Sequence, residues 1–341
     1  MFDRRRILTA LQEATLAPSI HNSQPWRFRI SGDAVSVLLA ASVTPRLVDP
    51  SGRWALQSIG AVVASLESAL ATATGHAVAT EYFPDGEAEG SGPTAGGQRW
   101  DGRVLAVVRQ GGSDAPATEA AARLFPALSQ RHTSRSPLLG GAPSDSEWQQ
   151  VVAASSAGSV RGFQVPQALG ERLLELTALA DAQRVDDPAY LAEVQKWIDH
   201  SGKVGIPHAA AGASDSAGAY PGRNFARSLS GVADWSGKET FEDPPALFVV
   251  ASSGDSARDQ VLGGYGLQRA LLEATSLGLG TGVLGQALEE AASHEAVNAA
   301  VSSALGEELV VHQILRLGHP DQPLLPAART PRRKVSELLV S

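Results

Sequence analysis

Three stretches hold side chains whose types and spacing could do chemistry. The first, Ala17-Pro-Ser-Ile-His-Asn-Ser-Gln-Pro-Trp-Arg-Phe28, sets short hydroxyl, amide and imidazole groups between two prolines. Pro18 and Pro25 each fix φ and remove a backbone donor. Ser19, His21, Asn22, Ser23 and Gln24 therefore sit on a stiffened frame suited to hydrogen bonding with a polar, planar ligand. An ordinary helix-to-strand loop would explain Asn and Ser as turn formers, but not so dense a set of amides and hydroxyls ending in Pro-Trp. The second stretch, Arg131-His-Thr-Ser-Arg135, alternates basic residues with hydroxyls, a pattern that can clamp a phosphate through charge-assisted hydrogen bonds. The third is the basic pair Arg332-Arg333. A solvated basic surface is the competing explanation for either basic cluster taken alone.

Other chemistries are excluded by composition. The 341 residues include no cysteine, which removes disulfides, thiolate metal sites, thiol catalysis and iron–sulfur clusters together. The eight histidines show no metal-ligand spacing, and no Gly-x-Ser-x-Gly elbow occurs. Gly278-Leu-Gly-Thr-Gly282 lacks the strand, glycine turn and helix order of a dinucleotide fingerprint. A net charge of -8 argues against nucleic-acid and anionic-membrane partners. No apolar core follows the basic N-terminus, and no run reads as a membrane span, so a cytoplasmic protein is expected.

The elements that must position these residues follow from periodicity. Helices are expected at about 7–16, 53–74, 119–128, 144–154, 171–184, 188–200, 258–277 and 289–305. Strands are expected at 26–30, 35–40, 77–83, 104–109, 160–165, 246–251 and 309–317, with a short strand or loop at 281–285. Residues 84–98 read as an exposed Gly-rich loop. Residues 201–243, with His208, Tyr220, Arg223-Asn224-Phe225 and Trp235, read as a lid, because aromatics are unusual in a plain linker. A faint repeat pairs Asp49, Arg53, Leu56 and Gly60 with Asp255, Arg258, Leu262 and Gly264. It suggests two related halves, 1–125 and 126–341.

Pro18-Ser-Ile-His-Asn22-Ser-Gln24-Pro25-Trp26-Arg-Phe28 resembles the flavin-contacting turn of the FMN-dependent nitroreductase superfamily. The two-half arrangement resembles the Acg-type branch, in which two nitroreductase-like halves form one chain. The second half carries the more specific likeness: Gly-Tyr-Gly-Leu-Gln268-Arg269, Gly278-Leu-Gly280, Gln286-x-x-Glu289, Leu315-Arg-Leu-Gly-His319 and Pro331-Arg-Arg333. The resemblance implies an α+β, nitroreductase-like fold, with two sheets flanked by helices as an intrachain pseudo-dimer. It also implies an oxidoreductase that takes hydride from NAD(P)H onto FMN and passes it to an electron-poor acceptor such as a nitroaromatic or quinone. A flavin-sequestering protein with little turnover, or an FMN-dependent dehydrogenase of a specialised metabolite, are the alternatives.

The resemblance also distributes roles. Pro18, Ser19, Ile20, Asn22 and Gln24 would contact the flavin from the first half. Arg131, His132, Thr133 and Arg135 match the superfamily's N-terminal flavin motif, and Arg333, with Arg332 beside it, the phosphate-side basic residue. Leu284 and Gly285 would edge the ring. Arg135 is the expected catalytic residue: near N1 and O2 of the ring it would stabilise the negative charge of reduced FMN. The counterpart of the turn near 155–165 lacks Asn and Pro-Trp, and the expected counterpart of 131–135, Arg4-Arg-Arg-Ile-Leu, lacks hydroxyls. One complete site per chain, assembled from both halves, is therefore expected, and with it a monomer.

Overall fold

A computed structural model describes residues 3–87, 97–111, 115–184, 186–198, 202–207, 210, 214–215, 238–321 and 330–341. Most of the expected lid, with His208, Tyr220, Arg223, Asn224, Phe225 and Trp235, lies outside these residues, as does most of the 84–98 loop.

The helices are α1 (Arg4–Ala14), α2 (Arg53–Thr74), α3 (Ala115–Arg123), α4 (Phe125–Gln130), α5 (Asp145–Ser155), α6 (Gln167–Arg184), α7 (Pro188–Lys196), α8 (Ala257–Ser276), α9 (Ala291–Leu305) and α10 (Val335–Leu338). The strands are β1 (Trp26–Ser31), β2 (Ala34–Leu39), β3 (Val78–Tyr82), β4 (Val104–Gln110), β5 (Val160–Gln164), β6 (Ser214–Asp215), β7 (Lys238–Glu239), β8 (Ala246–Ser252), β9 (Gly280–Val283) and β10 (Val310–Gly318). One antiparallel sheet has the order β1-β2-β4-β3 and a second the order β5-β8-β10-β9. The two orders are the same arrangement twice, with α2 and α8 as the matching long helices. The expected α+β class with two related halves is what the chain adopts.

Two expectations need correction. The helix expected at 119–128 is broken into α3 and α4, because Pro126 sits in the first turn of α4 and cannot continue the α3 ladder. The counterpart of α1 is α5, since each precedes the first strand of its sheet. Arg4–Arg6 therefore match the start of α5 rather than Arg131–Arg135. In addition, α2 is long and apolar enough to cross a bilayer, although 89% of its apolar window is buried inside the protein.

The halves meet where α2 crosses α8. A Cβ on Gly60 would lie 1.7 Å from the Val261 carbonyl oxygen, and one on Gly264 1.8 Å from that of Gln57. The two helix backbones therefore touch at a pseudo-twofold point that only glycine allows. Around it, Gln57 Nε2 donates to Gln260 Oε1 (2.9 Å), Gln313 Nε2 to Gln57 Oε1 (2.7 Å) and Gln268 Nε2 to Ser65 Oγ (2.9 Å). Asp49 accepts from Trp54 N and Ala55 N and so caps α2, whereas Asp255 pairs with Arg53 and leaves the capping of α8 to Ser256. The repeated aspartates thus hold different jobs. The second half reaches back to the first sheet, where Leu339 bridges Phe28 and Val340 N donates to Phe28 O at 2.9 Å.

Two buried histidines make this core sensitive to acid. Ser252 Oγ spends its proton on Gly254 O, so His312 Nε2, 2.7 Å from that hydroxyl, carries its own proton. Protonating its buried, unpartnered Nδ1 would strand a charge. Burial, then the charge of Arg53, lowers His312 to about 3 and His294 to about 4. The unfolded chain binds protons below about 6.5 that the folded chain refuses, so stability falls as pH drops from 6.5 toward 4. The urea midpoint should decline across that window. In His312→Gln, which keeps an N–H donor for Ser252, the decline should be shallower by up to about 1.4 kcal/mol per pH unit. An unchanged slope would contradict the assignment.

Candidate functional site

The turn from Ser19 to Gln24 is folded against its own preferences. His21, Asn22 and Gln24 have φ of 44°, 55° and 53°, a left-handed region that is cheap for Asn and costly for the other two. Hydrogen bonds hold it there. Gln24 N donates to Ser19 Oγ at 3.0 Å, and Ile20 N to Ser58 Oγ of α2 at 3.3 Å. The amides of Asn22 and Gln24 are buried and already engaged. Asn22 Nδ2 donates to Pro331 O (2.9 Å) and Gly205 O (3.0 Å), while Gln24 Nε2 donates to Lys203 O (2.8 Å). Gln24 Oε1 accepts from Arg333 N at 2.8 Å. These two residues strap the 330–333 segment and the 203–205 segment onto the turn.

That strapping delivers the basic residues to one place. Arg332 Nε donates to Thr15 O (2.6 Å), its Nη2 to Leu16 O (3.2 Å) and its Nη1 to Asn22 Oδ1 (2.9 Å) and Thr330 Oγ1 (2.6 Å). Arg131 Nη2 reaches the same Leu16 carbonyl at 3.5 Å. Two guanidinium groups thus converge just beyond the C-terminus of α1, whose carbonyls offer partial negative charge. Burial lowers Arg131 to about 10; burial, then the charge of Arg131, lowers Arg332 to about 9. Arg131 Nε and Nη1 and Arg333 Nε are buried without a partner. Arg332 is saturated by carbonyls, while Arg131 and Arg333 keep N–H groups to give.

The remaining predicted residues have contacts of their own. His132 Nδ1 lies 3.1 Å from Gln130 O, and Arg135 Nη1 donates to Ala210 O at 2.5 Å. Thr133 is half-buried in the same irregular segment, and Pro18 half-buried at the head of the turn. Leu284 is buried, with its N–H on Ile314 O at 2.9 Å. Gly285 lies under Trp54, where a Cβ would come within 2.6 Å of the indole. Sequence reasoning passed over Trp54, Ser58, Lys203, Gly205 and the carbonyls of Thr15 and Leu16. Only Trp54 carries a local signal, as the one aromatic residue of α2.

No family model matches the chain. Two Mycobacterium tuberculosis proteins, each named "Putative NAD(P)H nitroreductase", are 29% identical to it. One match spans 343 residues, 99% of this chain and 92% of the relative; the other, to the protein called acg, spans 337 residues, 97% and 94%. The likeness to the Acg-type nitroreductases runs end to end. An uncharacterized protein of the same organism is 26% identical over 341 residues, covering 96% of this chain and 90% of its own. Among solved structures, a Bacteroides fragilis nitroreductase with bound FMN is 16% identical, covering 61% of this chain and 94% of its own, with a TM-score of 0.39. Oxidized iodotyrosine deiodinase bound to FMN and 3-iodo-L-tyrosine is 15% identical, covering 62% and 95%, also with a TM-score of 0.39.

A buried cation with unused donors costs stability until an anion arrives. Arg131→Met, which removes the charge while filling the space, should therefore raise the unfolding temperature of the ligand-free protein. It should also abolish the rise that millimolar inorganic phosphate gives the unaltered protein. A thermal scan with and without phosphate reads both effects. Equal phosphate stabilisation in the variant would show that the anion binds elsewhere.

Proposed function

We propose that the chain is an FMN-dependent oxidoreductase of the nitroreductase type, a cytoplasmic monomer holding one FMN between its halves of roughly 1–125 and 126–341. The observation that carries this reading is the pair of arginines, Arg131 and Arg333, whose buried Nε, and in Arg131 also Nη1, have no partner. A phosphate monoester suits them: its oxygens can accept from several guanidinium N–H groups, and its charge offsets their burial. The relatives' name supports NAD(P)H as the electron donor.

The chain's own residues would act as a holder and an electrostatic field. Arg131 and Arg333 would bind the phosphate, with Arg332 and the amides of Asn22 and Gln24 keeping them in place. Ser19, Ile20 and Pro18 would line the first-half side of the ring, with His132 and Thr133 beside the phosphate. Leu284 and Gly285, backed by Trp54, would form the ring's edge. Bound FMN supplies the hydride-accepting and hydride-donating centre, so no acid–base pair need be built from side chains. Arg135 would stabilise charge at the pyrimidine end of the ring. The acceptor we infer is an electron-poor small molecule, a nitroaromatic or a quinone.

The pseudosymmetry supports a single site. Aligning Gly60 with Gly264 sets Ser58 against Leu262 and Trp54 against Arg258. Ser58 holds the strained turn through Ile20 N, whereas Leu262 packs against Gly158, 3.0 Å from where its Cβ would stand. Arg258 donates its backbone N–H to Glu87 Oε1 at 2.6 Å, and its guanidinium turns to Tyr82, with Nη1 3.4 Å from the carbonyl oxygen. The second location is filled by packing and by hydrogen bonds within the chain.

The purified monomer should release one FMN per chain. Arg131→Ala should weaken FMN by about 1.5–3 kcal/mol and riboflavin much less; two FMN per chain would refute the asymmetry. Anaerobic mixing of the FMN-loaded protein with NADPH should bleach the flavin rapidly, and persistent yellow colour would count against reductase turnover.

A further inference from the structure

Arg316 is fully buried in the middle of β10, in a strand otherwise dominated by apolar residues. A buried charge in such a strand is expensive, and its contacts show what it holds. Its Nη1 pairs with Glu242 Oε1 at 2.6 Å, and its Nη2 donates to Ser136 O at 2.8 Å and Ser134 O at 3.3 Å. The guanidinium carbon lies 5.3 Å from the centre of the Phe241 ring. Glu242 uses its other oxygen to accept from Leu138 N at 2.8 Å. Ser134 N is taken by Thr281 O of β9 at 2.6 Å.

The segment from Arg131 to Leu138 has no helix or strand of its own, so its backbone must find partners elsewhere. Arg316 grips the carbonyls on both sides of Arg135, and Glu242 grips the amide that ends the segment. We propose that Arg316, braced by Glu242, is a positioning residue that fixes the Arg135 backbone and so aims the Arg135 charge at the flavin's pyrimidine end. This rests on the FMN reading above and adds the residue that makes it directional. Arg316, fully buried and engaged with Glu242 and the two carbonyls, would act only through Arg135; it sets how strongly reduced FMN is favoured over oxidised FMN. Lysine at 316 has a single nitrogen, so it cannot hold Glu242 and the two carbonyls from the separate positions that Nη1 and Nη2 occupy.

The test uses the full-length, FMN-loaded protein. In Arg316→Lys the preference for reduced over oxidised FMN should fall at least tenfold, which is a midpoint potential lower by about 30 mV for a two-electron couple. Arg135→Ala should lower the potential by itself, and Arg316→Lys should add little in the Arg135→Ala background, because both act through one side chain. Full additivity of the two changes, or a lower unfolding temperature with unchanged potential, would overturn the proposal and leave Arg316 as a core ion pair. If Arg316→Lys does not fold, Glu242→Gln, which keeps an acceptor for Leu138 N, is measured the same way with the same expected direction. An unaltered protein that binds no FMN would overturn the cofactor reading and this inference together. Normal FMN binding with an unmoved potential in both variants would overturn this inference alone.

Discussion

Arg131 and Arg332 share one carbonyl oxygen, that of Leu16, and much of the architecture serves to bring them there. Arg131 comes from the segment that follows α4, Arg332 from the end of the second half, and the oxygen from the end of α1 in the first half. Loss of water holds both guanidinium groups below their ordinary pKa, and the charge of Arg131 lowers Arg332 further. Carbonyls at a helix terminus return only a fraction of this. Arg332 is nevertheless satisfied, with six carbonyl or side-chain oxygens within 3.2 Å. Arg131 is not. The difference separates a brace from a binding group within one cluster, a distinction that charge alone does not make.

The strained turn is the other half of the same arrangement. Three residues other than glycine in left-handed conformations within four positions store backbone energy. The compensation comes from long-range partners: Ser58 on α2, Lys203, Gly205, Pro331 and Arg333. A turn held this way has its shape only when the segments it straps are present. The strain, the straps and the basic cluster are therefore one structure rather than three features.

The elements were largely legible in the sequence because their stops are local. Helix α2 runs Arg53–Thr74 as its periodicity and Gly75 foretell, and Gly75 adopts the left-handed conformation that a terminating glycine provides. The break between α3 and α4 was missed although Pro126 announces it, because the apolar spacing continues across the proline. The candidate site was legible as residue types but not as jobs. Asn22 and Gln24 read as groups for a ligand, yet each hydrogen-bonds chain segments far away in sequence, which no local pattern records. Arg316 entered the sequence reading only inside the run Leu315-Arg-Leu-Gly-His319, because its partners Glu242, Ser134 and Ser136 are set by tertiary packing.

The glycine crossing explains how a duplicated chain can hold unequal sites. Gly60 and Gly264 face the backbones of the opposite helices in the same way, so the crossing itself treats the halves alike. Side chains two and six residues away along the helices are free to diverge, because they pack outside the crossing. Ser58 keeps a hydroxyl for the strained turn, while Leu262 fills the matching space at Gly158. Arg258 there meets Glu87, where Trp54 on the other side lies over Gly285. The constraint that must stay symmetric is thus confined to backbone contact between two helices. The chemistry lies outside it, where one copy can be lost without disturbing the fold.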